Sequence, residues 1–241
     1  LFSQIALRGM KVHGISTNNI HVDTTNFSVF GDYDKEPHNG FNATFCGAPK
    51  SGRKDLKAVT LGAGVQENKI PFFFQALSGN SSDAVWFRDA LSEIASLFNG
   101  DLHSRPILIF DAAGSNQEMF EEASKSKAPC IIRLSRVFNA VGDSIKKAWE
   151  EDRWQEVGKL SDQKKGSYYR VCAFDFDSFP GWRLTVVHST ALEESKRKSM
   201  EKSLPKKKEN IEKKAASLSK KDFKTLEEAE EAANKFISKH I

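Results

Sequence analysis

The chain has 241 residues, of which 39% are hydrophobic and 28% charged, with a formal net charge of +4. That length holds one large domain or two small ones, with enough apolar side chains for a real core. No apolar run approaches the roughly 18–20 residues of a membrane span, no secretory signal is present, and so small a net charge does not by itself argue for nucleic acid.

The excess of basic residues falls within 191–241. The first residue is Leu1, not methionine, which suggests a processed or excised piece of something longer. Three widely spaced cysteines, Cys46, Cys130 and Cys172, lack zinc spacing and read as reduced, buried side chains of a cytosolic protein.

Residues 19–30 alternate as a β-strand, with Asp23 near its middle and hydroxyls beside it. Residues 31–52 are punctuated by Gly, Pro, Asn and Asp and read as loop. Two further strands, 57–65 and 70–77, flank a short polar turn at 66–69. A helix follows, carrying Val85, Trp86, Leu91, Ile94, Ala95 and Phe98 on one face; Ser81 or Ser82 caps its start and Gly100 its end.

The apolar strand 106–110 ends on Asp111, a helix spans 116–125, and another strand covers 130–134. Three strands in succession form an antiparallel meander, and the later alternation with helices builds parallel neighbours. In this ribonuclease-H-like mixed α/β arrangement the first and fourth strands lie side by side, and Asp23 and Asp111 converge.

Beyond 135 the texture changes. Residues 168–176 and 182–189 read as a hairpin turning at 177–181. Residues 191–218 are rich in Lys and Glu with a sparse apolar stripe broken by Pro205. A last helix begins near Thr225, where Thr225 and Glu228 fit a capping box, and buries Phe223, Leu226, Ala229, Ala233, Phe236 and Ile237. The expected organisation is a core over 1–135, a mainly β insertion over 136–190 and a helical arm over 191–241.

Two strands that each deliver one carboxylate suit divalent-metal phosphoryl transfer, in which two Mg²⁺ or Mn²⁺ ions need acidic ligands from rigid elements. The plain alternative for Asp111 is a turn or helix cap. A mid-strand Asp23 between Val22 and Phe27 costs stability unless it is used or paired. His21 shares the face of Asp23 and either orients a ligand or serves the structure.

Lys50, Arg53, Lys54 and Lys57 form a basic loop that either touches a DNA backbone or is simply solvated. A phosphate-binding loop at Gly47 and Gly52 is rejected, since Arg53 and Lys54 stand where Lys and Ser/Thr are needed and a strand follows. Gly62 and Gly64 are too short a pattern for a dinucleotide fingerprint, and no Gly-x-Ser-x-Gly elbow supports serine-hydrolase chemistry. Trp149, Trp154, Trp182, Tyr168 and Tyr169 stack on bases or pack a core.

Four segments, in order, carry a resemblance. His21-Val-Asp-Thr-Thr-Asn-Phe-Ser-Val-Phe-Gly31, the stretch from Gly47 to Lys57, Leu77-Ser-Gly-Asn-Ser-Ser-Asp83 and Ile109-Phe-Asp111 resemble bacterial insertion-sequence transposases of the DDE type. The match covers roughly 19–135.

The resemblance implies a ribonuclease-H-like core in which Asp23 and Asp111 bind two Mg²⁺ or Mn²⁺ ions for hydrolysis and strand transfer on double-stranded DNA, at transposon ends and target. It further implies a bacterial, nucleoid-associated setting, a homodimer and no membrane. A non-catalytic DNA- or protein-binding relative and a ribonuclease-H-like nuclease are the alternatives. The family's third acid is a glutamate in Tyr-x₂-Arg-x₃-Glu-x₆-Lys. Arg197, Glu201 and Lys208 have that spacing, but position 194 is Glu and Pro205 intervenes. Glu201 is therefore a weak candidate, and the third carboxylate is expected past Ile241, leaving this chain alone weak or inactive.

Overall fold

The computed structural model describes residues 1–33, 40–98, 105–160, 166–177 and 179–240. Contacts divide it into two units, 1–143 and 144–241.

In the first unit, strand β1 (Asn19–Val29) buries Ile20, Val22 and Thr24 and exposes His21 and Asp23, the period-2 pattern of a strand with one covered face. β3 (Lys57–Gln66) alternates in the same way and pairs with β1 antiparallel, setting Val22 opposite Gly64 and Asp23 opposite Ala63. β4 (Pro71–Ser78) continues the meander on β3, with a register shift at Gly64/Val65, and the two-residue β2 (Thr44–Phe45) pairs with the start of β3. β5 (Ile107–Phe110) lies parallel to β1, and β6 (Cys130–Ile132) parallel to β5. The long strands thus run β4-β3-β1-β5-β6, three antiparallel and then two parallel, which is the ribonuclease-H strand order.

Helix α2 (Asp83–Leu97) covers the buried face with Trp86, Phe87, Ala90, Leu91 and Ile94. Its N-cap Ser82 makes no side-chain cap bond; the expected end at Gly100 lies outside the described residues. α3 (Gln117–Ser126) is capped by Asn116, whose side chain accepts from the Met119 N–H at 2.9 Å. Phe87 meets Phe110 edge-on at 5.4 Å, joining helix to sheet. α1 (Phe2–Val12), absent from the sequence reading, lies against β4 through Phe2 and Phe74 and buries Met10.

Trp86 is the largest side chain over the sheet, and Gly62 makes room for it: a Cβ there would fall 2.1 Å from the indole ring. The indole N–H donates to Gln75 Oε1 at 2.7 Å, so the ring cannot slide without losing that bond. Gly62→Ala is expected to cost about 1–3 kcal/mol by overpacking. The ¹⁹F signal of fluorotryptophan at Trp86, followed through a urea titration, reads the shift.

In the second unit, α4 (Asn139–Glu151), which begins just before the boundary, places Ala148 against a three-stranded antiparallel sheet, β7 (Gln155–Lys159), β8 (Tyr168–Asp175) and β9 (Arg183–Ser189). Ala148, Cys172 and Phe174 form the core, with Trp154, Leu184 and Val186 packed against it. The turn expected between β8 and β9 is described except for Ser178. The Arg170 guanidinium stacks on Trp149 and Trp154, 4.9 and 4.6 Å from the ring centroids. Its Nε–H donates to His188 Nδ1 at 3.3 Å, which leaves His188 Nε2–H to donate to Glu193 at 2.9 Å. Both indoles are thus engaged by an internal cation.

Two expectations fail in the C-terminal helices. α5 (Thr190–Leu218) is continuous through Pro205. Proline forfeits the bond to the carbonyl four residues back, at Glu201; α5 buries no residue, so water reaches that carbonyl. α6 (Leu226–His240) starts with half of the expected box: Glu228 N–H donates to Thr225 Oγ1, but Glu228 Oε2 accepts from Lys224 N–H, one residue before the cap. Its apolar stripe is not buried, however: Leu226 is 76% and Ile237 50% exposed, because little of the described chain packs against it.

Candidate active site

Parallel pairing sets Val22 beside Phe110, both buried. One residue further along each chain come Asp23 and Asp111, both exposed. Asp111 is still extended (φ −79°, ψ −170°), so the alternation carries on through it. Neighbouring strands run about 4.8 Å apart, and the two aspartates follow at neighbouring positions, exposed on the sheet face opposite α2.

Each carboxylate is oriented by main chain. Asp23 Oδ1 accepts from the Thr24 N–H at 2.8 Å. Asp111 Oδ1 accepts from the Ala113 N–H at 2.9 Å and caps the short 3₁₀ turn Ala112–Gly114. The capping role and the exposed position therefore coexist. Among the described residues neither aspartate has a basic partner. Two exposed carboxylates on rigid strands form a hard-oxygen donor set that fits Mg²⁺ or Mn²⁺, which commonly takes one or two carboxylates and completes its shell with water and phosphate. His21 lies on the same face and is exposed.

Among the described residues, no group of three or more His, Cys, Asp or Glu side chains gathers to hold a metal. Glu201 is exposed on α5 and accepts from Arg197 at 3.3 Å, while Arg197 also clasps Glu194 at 2.8 Å. The Arg-x₃-Glu spacing is here the i,i+4 geometry of a surface ion pair, and Lys208 pairs with Glu212 at 3.9 Å.

The four basic residues separate by environment. Lys50 donates its ammonium to the Thr24 carbonyl, next in the chain to Asp23. Lys57, on β3, donates to the Asp32 carbonyl. Lys54 is exposed. Arg53 is engaged by Asp55 through two bonds of 2.8 and 2.6 Å. Those bonds hold the Asp55 carboxyl down to about 2, against its own partial desolvation, and raise Arg53.

Because the Asp55 pKa is depressed, the pair is intact at any pH well above 2 and is lost only as pH falls through that value. Asp55→Asn is expected to release Arg53. If the loop meets duplex DNA, affinity rises several-fold and the plot of log K against log salt steepens by about one unit, measurable by fluorescence anisotropy across a salt series.

Sequence reasoning assigns the segment from Leu77 to Asp83 a family resemblance and a helix cap at Ser81 or Ser82, but no role to Asn80 or Asp83 themselves. In the structure its Asp83 accepts from Thr24 Oγ1 at 2.7 Å, and its Asn80 is joined to Thr44 by bonds of 3.0 and 3.2 Å. The legible signal was a Gly-Asn pair followed at once by hydroxyls and an acid, a grouping that hydrogen-bonds neighbouring backbone more readily than it extends a strand.

No family model matches the chain. No curated protein matches it either. Two solved structures do. The Mos1 transposase paired-end complex with left transposon end is 10% identical, with a TM-score of 0.30. The Mos1 mariner paired end complex with Mn is 11% identical, with a TM-score of 0.31. Each match covers 62% of this chain and 52% of the other, so the chain spans about half the length of either.

Proposed function

We propose that this chain carries the catalytic core of a DDE-type DNA transposase, with Asp23 and Asp111 as two of its acidic residues. The observation that carries the reading is the pair of exposed carboxylates brought side by side by the β1–β5 register within a ribonuclease-H strand order. Bound there, Mg²⁺ or Mn²⁺ would activate water or a 3′-hydroxyl and stabilise the departing oxygen. The chain's own part is to hold both carboxylates on strands whose main-chain N–H groups fix their orientation. The substrate is double-stranded DNA, transposon ends and target, met by Lys50, Arg53, Lys54 and Lys57. The 136–190 insertion and the 191–241 arm are assigned to DNA or to a second copy of the chain.

A second reading, a relative that binds DNA without cutting it, is favoured by the lack of a third acidic side chain at this pair among the described residues. Calorimetric titration with Mn²⁺ separates the two. The catalytic reading expects saturable binding that Asp111→Ala abolishes, whereas equal and negligible heat from both proteins would refute it.

A further inference from the structure

Loop 46–56 carries three basic residues, Lys50, Arg53 and Lys54, to one end of the sheet, and of these Lys50 is fastened to the strand that bears Asp23. Pro49 beside it is buried, and Ser51 Oγ lies 2.7 Å from Ser28 Oγ, so the chain on either side of Lys50 is seated on the rest of the unit. Thr24, whose carbonyl receives the ammonium, is itself held by Asp83 through its hydroxyl. The segment leading into the loop is held at its far end: Gly79 N–H donates to the Asn42 carbonyl at 3.1 Å, Asn42 N–H to Ser78 Oγ at 3.0 Å, and Asn80 and Thr44 exchange two bonds.

The partner of Lys50 is a neutral carbonyl. An ammonium has three donors, so two remain and the positive charge is uncompensated, close along the chain to a carboxylate pair without a cation. A phosphodiester arriving at Asp23 and Asp111 brings one further negative charge to that place. An ammonium held there supplies the charge-assisted hydrogen bond that offsets the repulsion.

We propose that Lys50 is the phosphate-binding residue of this site, donating to a non-bridging oxygen of the phosphodiester that meets Asp23 and Asp111, with Asp83–Thr24 and Asn80–Thr44 as the contacts that position it. The inference rests on the metal-dependent phosphodiester reading above and goes beyond it by separating Lys50 from the rest of the basic loop.

The probe is the dinucleotide thymidylyl-thymidine, a single phosphodiester, added to the full chain with Mn²⁺. Two quantities are read: Mn²⁺ affinity, from water-proton relaxation, and dinucleotide affinity, from paramagnetic broadening of its ³¹P resonance, which requires the phosphate to sit beside the metal. Lys50→Met, which keeps the aliphatic stem, is expected to weaken dinucleotide binding about tenfold and to leave Mn²⁺ affinity in place. Lys50→Arg restores most of the loss, and Lys54→Met weakens the dinucleotide less than Lys50→Met does. Circular dichroism of each variant confirms the fold, and Lys50→Gln serves in place of Lys50→Met should that variant fail to fold.

Wild-type dinucleotide affinity in a folded Lys50 variant that still binds Mn²⁺ overturns this inference alone, as does an equal loss in Lys54→Met. Failure of the wild-type chain to bind Mn²⁺ in an Asp111-dependent way overturns the underlying reading, and the role of Lys50 with it.

Discussion

Asp111→Ala is expected to remove divalent-metal stabilisation from the first unit while leaving the metal-free fold about as stable as before or slightly less so. The metal-free balance is small because of where the residue sits. Without metal, Asp23 and Asp111 are like charges on adjacent strands, exposed and without a cationic partner among the described residues. Such a pair is destabilising by roughly 0.5 kcal/mol, and deleting either member relieves it. Alanine at 111 also gives up the cap that Asp111 places on Ala112–Gly114, a loss of about 0.5–1 kcal/mol that offsets the relief. Asp23→Asn loses no such cap and is the cleaner stabilising change.

With Mn²⁺ at a hundred times its dissociation constant, a site of this kind adds about 2.7 kcal/mol to the folded state. For a unit of this size that is a rise of roughly 5–10 °C in Tm. Thermal melts of the wild type, Asp23→Asn and Asp111→Ala, with and without 10 mM Mn²⁺, separate the contributions. The wild type alone should rise with metal, and Asp23→Asn should start higher and stay there. A metal-induced rise of the same size in all three proteins would place the ion elsewhere and remove the basis for the catalytic reading.

The sheet was legible because strands with one covered face write themselves as alternation. Ile20, Val22 and Thr24 against His21 and Asp23 announce β1 before any coordinates, and the short apolar run ending on Asp111 announces β5. Their adjacency followed from the order of elements, three strands and then a helix and a strand. The elements that went unread are of two kinds: the short strands β2 and β7 show no clear alternation, whereas α1 and α4 carry an amphipathic pattern that the sequence reading leaves out. β2 has two residues and exists only because β3 offers it a partner; β7 presents mostly exposed side chains. α4 lies inside the insertion expected to be mainly β, in a stretch to which the sequence reading assigns no element, and its one buried residue is Ala148.

Pro205 misled in the other direction. Water takes up the carbonyl that the proline leaves unbonded along an arm with no buried residue, and the helix runs on through it. In the basic loop, charge was countable from the sequence, but its availability was not. That Asp55 engages Arg53 whereas Lys50 meets a neutral carbonyl depends on side-chain direction, which composition does not carry.

Gly79→Ala is expected to be the most damaging small substitution in the first unit. A Cβ at this position would lie 2.0 Å from the Ala58 carbonyl oxygen, 2.6 Å from its carbon and 2.7 Å from the Thr44 carbonyl oxygen. These are main-chain atoms, unlike the ring that a Cβ at Gly62 would meet, and they belong to β3 and β2, whose pairing sets Thr44 opposite Ala58. Nothing there yields by a rotamer change, so the strand ends must part. The cost is about 3 kcal/mol or more, at the upper end for overpacking.

The consequence reaches the site through the loop. Gly79 N–H holds the Asn42 carbonyl and Asn80 holds Thr44, so displacing Gly79 frees the start of the segment that delivers Lys50 to Thr24. Gly79→Ala should therefore lower the urea midpoint reported by fluorotryptophan at Trp86. Under conditions where the variant is still folded, it should also weaken the dinucleotide phosphate more than it weakens Mn²⁺, since Asp23 lies opposite Ala63, five residues along β3 from the displaced Ala58, and Asp111 follows β5 on the far side of β1. Equal weakening of both would mean that the clamp supports the whole sheet end and does not act on Lys50 in particular.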